Sequence, residues 1–220
     1  MQKFDTTAPI TAVLEIPAGR VQFIAADRAD TTVEIRPADP GRSRDTRTAE
    51  QTSVYYADGV LRITAGTPGS QLLGSGALEV TVQLPAGSRI QATCASTELR
   101  AVGRLGDITF DGAYRTVKID EAASLHLTAV DGDVEVGRLA GPATISTARG
   151  DIRIAEATTG TVELLTQSGN ISVAAAPGVS AALNAGTGHG RVHNSLKNDG
   201  STELTINATT THGDITARSL

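Results

Sequence analysis

Acidic residues recur at one position of this chain, directly after a glycine and before an isoleucine or valine. Two of them, Asp133 and Asp151, lie one repeat apart. On neighbouring turns of a stacked structure their carboxylates would be ~5 Å apart, a spacing that suits a glycosidase pair or, with further oxygen ligands, a hard cation. The alternative is a solvated corner residue that bonds a nearby backbone N–H. We favour the corner interpretation, because a similar residue follows nearly every such glycine whereas an active site is expected once.

Histidine offers a second set of candidate metal ligands. His189 and His212 each precede one of these glycines and are expected to stack on adjacent turns. With His193 they could bind zinc if the three imidazoles converged. We favour exposed surface histidines, because His193 lies on the far side of its corner and His126 lies several repeats away. The metal candidates are therefore His189, His212, Asp133 and Asp151, none of which we favour as a ligand, and the sequence predicts no catalytic residue and no cofactor.

The tripeptide Arg149-Gly150-Asp151 has the form of a cell-adhesion ligand. Its glycine and aspartate belong to the recurring pair, whereas the residue before the glycine varies freely along the chain. Arg149 is thus expected to point outward and to face Asp131 on the neighbouring turn, as an exposed ion pair worth ~0.2–1 kcal/mol. The repeat favours a structural interpretation of the tripeptide over adhesion.

All of these residues belong to a repeat with intervals of 18 to 26 residues. Small or apolar residues stand seven and five positions before each glycine, and most repeats have apolar residues two and four positions after it. Alternation of this kind predicts two short strands joined at a glycine corner. The predicted corner residues are Gly106 and Asp107, Gly132 and Asp133, Gly150 and Asp151, Gly169 and Asn170, Gly190, and Gly213 and Asp214.

One such unit cannot bury its apolar side alone, but stacked units can, with strands ~4.8 Å apart. We therefore predict an all-β fold, with residues 89–220 as a β-solenoid or parallel β-helix-like roll, and an antiparallel β-sandwich as the alternative. Glycine is expected at the corner because the backbone there needs positive φ or a tight bulge, and the following Asp or Asn can bond a free N–H.

Four threonines share a column three residues before the corner glycine. Such a column could form a flat face that orders water, and we favour stabilising cross-strand threonine pairs instead. The four are Thr147, Thr166, Thr187 and Thr210.

Residues 1–88 are strand-rich but less regular, and we expect them to cap or extend the stack as part of one continuous domain. Two strands there end in the same Pro-Ala-Gly turn, at Pro17 and at Pro85. Residues 36–51 are polar enough to predict a flexible loop, and residues 65–77 a glycine-rich connection. Helical periodicity with caps is not evident in any segment.

Composition excludes several functional classes. A net charge of −5 with three lysines is a poor match to nucleic acid, and six aromatic residues give little ring surface for stacking on bases or sugars. The single cysteine, Cys94, is expected to be a small buried hydrophobe. Neither an export signal nor a membrane span is evident, so the sequence predicts a cytoplasmic protein without membrane insertion.

The turns "IPAGR" and "LPAGS" and the series "DGDVEV", "RGDIRI", "SGNISV" and "HGDITA" resemble a bacterial β-strand-repeat family of unknown function, often labelled "putative adhesin". The resemblance covers nearly the whole chain and implies a β-repeat fold without catalytic residues to carry over. Bactofilin-like solenoids are a more distant likeness, in the logic of stacking only.

The sequence therefore predicts a noncatalytic β-solenoid scaffold or adhesin-like interaction protein. The chain ends six residues after Asp214, so we expect an uncovered C-terminal edge that pairs with a second copy or a protein partner. The alternative is a carbohydrate-binding or carbohydrate-active protein that uses the corner carboxylates. A concave groove with clustered acidic and basic side chains would favour the alternative, and even faces would favour the scaffold.

Overall fold

The computed structural model describes residues 1–65 and 76–220, so most of the predicted glycine-rich connection at 65–77 lies outside the described residues. These residues form a β-rich chain with one short helix, α1 (Ser43–Gln51). The strands are β1 (Gln2–Asp5), β2 (Thr11–Ala26), β3 (Asp30–Pro37), β4 (Ser53–Ala57), β5 (Val60–Thr64), β6 (Leu78–Pro85), β7 (Arg89–Asp131), β8 (Val134–Leu139), β9 (Ala143–Arg149), β10 (Ile152–Ala157), β11 (Gly160–Ser168), β12 (Ile171–Ala175), β13 (Ala181–His189), β14 (Val192–Ser195), β15 (Leu204–His212) and β16 (Ile215–Ser219).

The strands stack in two columns, and each repeat, or rung, contributes one strand to each column. Column A contains β6, the second half of β2, parts of β7, and then β8, β10, β12, β16 and β14. Column B contains β5, the first half of β2, parts of β7, and then β9, β11, β15 and β13. Neighbouring strands within these sets run parallel. The predicted all-β, solenoid-like fold is therefore confirmed.

Alternating side chains fill the space between the columns. Along β10, Ile152 and Ile154 are buried while Arg153 is exposed, and the same alternation recurs in β11 with Val162 and Leu164 inside. Buried residues of both columns form one continuous apolar cluster from the N-terminal strands to the C-terminal ones. Burial of these alternating side chains is the main stabilising force of the stack.

The order of the rungs along the stack differs from their order in the chain. Strand β15 pairs with β11 on one side and with β13 on the other, and β16 lies between β12 and β14. The last rung of the chain is therefore internal, and the rung before it, β13 and β14, ends the stack. Our prediction of an uncovered C-terminal edge at β16 is wrong, because both sides of that strand are paired.

Gly106 and Asp107 lie half a turn away from the other predicted corners. Gly106 donates its N–H to the carbonyl of Ser88 at 2.9 Å, and Asp107 pairs with Arg89 at 3.1 Å, both in column B. The stretch of β7 beside β8 begins at Val117 instead, since Val117 is the Cα partner of Val134. The same tripeptide pattern thus begins a column B strand here, and the predicted corner at this repeat is wrong.

The N-terminal strands are part of the same stack. Strand β2 pairs in parallel with β7 from Thr11 to Ile24, across the division at residue 88. Antiparallel strands cover the N-terminal end of the stack. Strand β3 pairs with β6, β1 pairs with β3, and β4 pairs with β5.

Helix α1 occupies part of the segment that the sequence predicted as a loop. Its one buried side chain is polar: Asp45 is 5% exposed and accepts the N–H of Ala77 at 3.0 Å and of Asp39 at 3.2 Å. Helix α1 does not bury an apolar stripe, so its sequence shows no helical periodicity from which the helix could be predicted.

Candidate functional site: the corner column and the terminal rung

The corner glycines of successive rungs lie directly against one another. A Cβ on Gly169 would be 2.0 Å from the carbonyl oxygen of Gly150, and a Cβ on Gly213 would be 2.0 Å from that of Gly169. Their φ angles, +157° and +149°, are also unusual for residues with side chains. Glycine is therefore required at this position by the close approach of the backbones, as the repeat predicted.

The residues after these glycines form a chain of hydrogen bonds along the stack, which we call the corner ladder. Asp133 Oδ1 accepts the N–H of Asp151 at 2.9 Å, and Asp151 Oδ1 accepts the N–H of Asn170 at 2.7 Å. Asn170 Oδ1 then accepts the N–H of Asp214 at 2.9 Å, and Asp214 Oδ1 accepts the N–H of Arg191 at 2.8 Å. The predicted bond from corner Asp or Asn to a backbone N–H is thus present on four successive steps.

The threonine column points into the molecule. Thr166 and Thr210 are buried, and their hydroxyls donate to the carbonyls of Gly150 and Gly169 at 3.1 and 3.0 Å. These hydroxyls therefore satisfy carbonyls of the neighbouring rung. A water-ordering threonine face at this column is wrong, because three of the four threonines are buried and the hydroxyl of the fourth, Thr187, donates to the carbonyl of Gly213 at 2.9 Å.

Arg149 lies on the outer surface, two positions before the ladder residue Asp151. Its Nη2 is 2.7 Å from Asp131 Oδ2 on the neighbouring rung, as an exposed ion pair. The predicted pairing of Arg149 with Asp131 is confirmed. Both charged side chains of the Arg-Gly-Asp tripeptide thus have partners within the stack.

His189 and His212 stack on adjacent rungs, with ring centroids 4.9 Å apart and planes 17° from parallel. Nearly parallel rings direct their in-plane nitrogen lone pairs side by side rather than toward one point. His193 lies beyond the corner on β14, opposite Thr216. Over residues 1–65 and 76–220, no three His, Cys, Asp or Glu side chains come together as a metal site would need.

A shallow depression of about 230 Å³ lies on the outer face of column A. Arg100, Lys118 and Arg153 line it together with Asp120 and Glu135. Arg100 Nη2 donates to Asp120 at 2.9 Å, and Lys118 Nζ is 3.0 Å from Glu135. This surface combines clustered acidic and basic side chains with a concave shape, although the corner carboxylates are not part of it.

Small residues make the depression concave. Gly137 on β8 and Ala155 on β10 also line it. A Cβ on Gly137 would be 2.5 Å from the carbonyl oxygen of Asp120, so the strands approach closely there. Repeat spacing alone did not reveal this surface, since it depends on which residues of different rungs become neighbours.

Within the part of the chain that the structure describes, the terminal rung, β13 and β14, has strand partners on one side only. At its inward positions Leu183 and Ala185 are half-buried, whereas Val192 is 46% exposed and Asn194 is exposed. The apolar cluster of the stack therefore reaches the surface here. Asn194, a polar residue at an inward position, was a sequence signal for this end.

Residues 13–219 match the family described as Toastrack DUF4097. The chain belongs to this family. The match covers both columns and the corner ladder, and it agrees with the predicted bacterial β-repeat family of unknown function. Among curated proteins, none is similar enough to count as a relative of this Toastrack chain.

This Toastrack chain is similar to several solved structures at low sequence identity. A putative adhesin from Bacteroides fragilis is 15% identical with a TM-score of 0.53, and the match covers 98% of this chain and 95% of that protein. A putative lipid binding protein from Parabacteroides distasonis is 14% identical with a TM-score of 0.48, over 98% and 95% of the two chains. A putative cell adhesion protein from Clostridium sporogenes is 10% identical with a TM-score of 0.43, over 100% and 98%.

Within the described part of this Toastrack chain, no helix has the length and apolar character that a membrane crossing requires.

Proposed function

We propose that this chain is a noncatalytic β-solenoid scaffold, an adhesin-like protein whose role is to present interaction surfaces. The corner ladder is the observation that carries the proposal. Its repeated carboxylates, the residues best suited to chemistry by type and spacing, accept backbone N–H groups of the next rung. A carboxylate bound in this way holds the stack together and is poorly placed to transfer protons.

The comparisons support an interaction role. The Bacteroides fragilis protein that shares the architecture is called a putative adhesin. The stacked strands of this chain form long, regular outer faces, which suit recognition of a partner by surface contact.

Hydrolysis assays on purified protein test the noncatalytic part. We expect no release of reducing ends from a panel of polysaccharides, and an unchanged result for Asp133→Asn, which keeps the Oδ1 acceptor of the ladder. If the wild type hydrolysed a polysaccharide and Asp133→Asn abolished this activity without unfolding the protein, the proposal of a noncatalytic scaffold would be contradicted. An inactive protein that binds a cell-surface component would support it.

A carbohydrate-binding role is the second candidate, and the depression on column A favours it. In the described residues, no carboxylate lies within ion-pair distance of Arg153, one of the cations that line this surface. A guanidinium of this kind can bind a carboxylate through two parallel hydrogen bonds. The ligand class would be an acidic sugar such as a uronate.

Titration with polygalacturonate distinguishes this second candidate from the scaffold alone. Arg153→Ala should abolish binding, while Arg138→Ala should not, because Arg138 lies on the same face but pairs with Glu156 at 3.7 Å. If Arg153→Ala and Arg138→Ala bound polygalacturonate equally well, the depression would not be the binding site.

A further inference from the structure

We propose that two copies of this chain associate through the terminal rung, with β13 pairing antiparallel to β13 of the second copy about a two-fold axis. In the described chain, β13 pairs only with β15, and β14 only with β16. The N–H of Ala181, at the start of β13, is bonded to the carbonyl of Lys197 at 2.9 Å. Beyond this residue, the outer edges of both strands present backbone N–H and C=O groups that a second chain can bond.

The ladder explains why this rung ends the stack. Strands β11 and β13 pair with β15 in the same register, since Val162 and Leu183 both face Ile206. Backbone pairing alone would thus also allow β13 and β14 to stack directly on β11 and β12. That order would place Arg191 between Asn170 and Asp214, and arginine has no acceptor for the N–H of Asp214. The observed order puts Arg191 where the ladder has no further step.

Asn194 reinforces the same order. Its partner positions in the neighbouring rungs are Ala217 and Val173, both buried. Inside the stack its amide would be buried among apolar side chains, at a cost of about 1–3 kcal/mol without hydrogen-bond partners. At the terminal rung it is exposed, and its Oδ1 accepts the N–H of Leu196 at 3.0 Å.

From Ala182 onward, the β13 edge lacks the features that usually prevent strand pairing. Its sequence, AALNAGTGH, contains no proline and no Asp, Glu, Lys or Arg, and it is nine residues long. At the opposite end of the stack the edge strands are shorter: β1 has four residues including Lys3 and Asp5, and β4 has five. Among the described edges, β13 is thus the long uncharged one, and a second β13 is its best-matched partner.

The geometry of the corner favours an antiparallel pair over a growing filament. A rung added in the register of the stack would need an acceptor at Arg191 for its own corner N–H. A two-fold rotation reverses the strand direction, so it makes no such demand, and antiparallel ladders are well bonded. A two-fold contact uses the same surface on both copies and closes after two chains. Val192 and the half-buried Leu183 would lose their remaining exposure on pairing.

Cysteine cross-linking combined with light scattering tests this pairing. The native Cys94 is 2% exposed, and burial raises the pKa of its thiol to about 11, so it gives little background. Ala182→Cys, Asn184→Cys and Gly186→Cys place thiols along β13, and Glu163→Cys places one on the internal strand β11 as the matched control. Near a two-fold axis, a residue faces its own copy. We expect a disulfide-linked dimer under mild oxidation for at least one of the three β13 variants and a monomer for Glu163→Cys.

The mass in solution gives the independent readout. Light scattering should report twice the chain mass, returning to one chain in Val192→Lys, which places a charge at the open end of the core. Thr216→Lys, on the paired strand β16, should remain dimeric. A monomeric wild-type protein at high concentration, a mass that grows with concentration beyond two chains, or cross-linking no greater on β13 than at residue 163 would each overturn the proposal.

Discussion

One residue position carries much of the regularity of this molecule. At the corner, a glycine lets two backbones approach, the next residue accepts an N–H from the following rung, and a buried threonine three residues earlier donates to a glycine carbonyl. Each contact joins neighbouring rungs, so a substitution at one corner disturbs the contacts of two rungs.

Replacement of a corner glycine should destabilise the stack strongly. In Gly169→Ala the new methyl group would lie 2.0 Å from the Gly150 carbonyl oxygen, so the backbone must move. We expect a loss of about 3 kcal/mol in the free energy of unfolding, measured by urea denaturation. Gly186→Ala is the control, because nothing lies within 4 Å of its Cβ position. Equal effects of the two substitutions would contradict close contact at the corner.

Asp151 distinguishes a structural corner from an adhesion ligand. Asp151→Asn keeps the Oδ1 acceptor for the Asn170 N–H, so the free energy of unfolding should change little, whereas Asp151→Ala should lose about 1 kcal/mol. Both changes remove the carboxylate that an Arg-Gly-Asp ligand requires. If Asp151→Asn abolished binding to a cell-surface receptor while stability was unchanged, the tripeptide would be functional and the structural interpretation incomplete.

At the scale of elements, the N-terminal strands depend on an ion-pair cluster. Asp30 on β3 lies 2.9 Å from Arg28 Nε and 3.1 Å from Lys3 Nζ of β1. Hydrogen bonds from Arg28 and then Lys3 lower the pKa of Asp30 to about 2. The ionised form of Asp30 is therefore favoured in the folded chain. Its contribution to stability is fully present above pH ~4 and is lost as the pH falls toward 2.

Asp30→Asn should remove this dependence. At neutral pH the wild type should have the higher Tm, and the difference should shrink between pH ~4 and 2 as Asp30 becomes protonated. Thermal melts of both proteins across this range provide the measurement. Asp27→Asn, three residues away, should show a smaller change. A difference in Tm that stays constant down to pH 2 would show that the carboxylate charge is not responsible.

The elements also show what the sequence could and could not predict. The period-two alternation around Gly150 and Gly169 predicted strands, corners and inward residues correctly. The same pattern at Gly106 gave a wrong corner prediction, because a glycine can also precede a strand of column B. Helix α1 escaped prediction because its buried residue, Asp45, is polar and accepts the N–H of Ala77, 32 residues away, which local sequence does not reveal.

At the scale of the whole molecule, the order of the rungs decides which surfaces are free. Identical register in β11, β13 and β15 made that order invisible to the repeat pattern. The sequence nevertheless contained two signals, an arginine in a column of Asp and Asn, and Asn194 at an inward position. Read together, they mark the rung that ends the stack, and they move the candidate interaction surface from β16 to β13 and β14.

Paired cysteines on the outer face of column A measure the rung order directly. Ser172 and Thr216 are Cα partners on β12 and β16, and His193 on β14 is the next partner of Thr216. Residues 172 and 193 are thus two strand spacings apart, ~9.6 Å, which is beyond the reach of a disulfide. We expect the Ser172→Cys/Thr216→Cys protein to form an intramolecular disulfide under mild oxidation and the Ser172→Cys/His193→Cys protein to form none. The reverse result would place the rungs in chain order, return the free edge to β16, and contradict the account of the terminal rung.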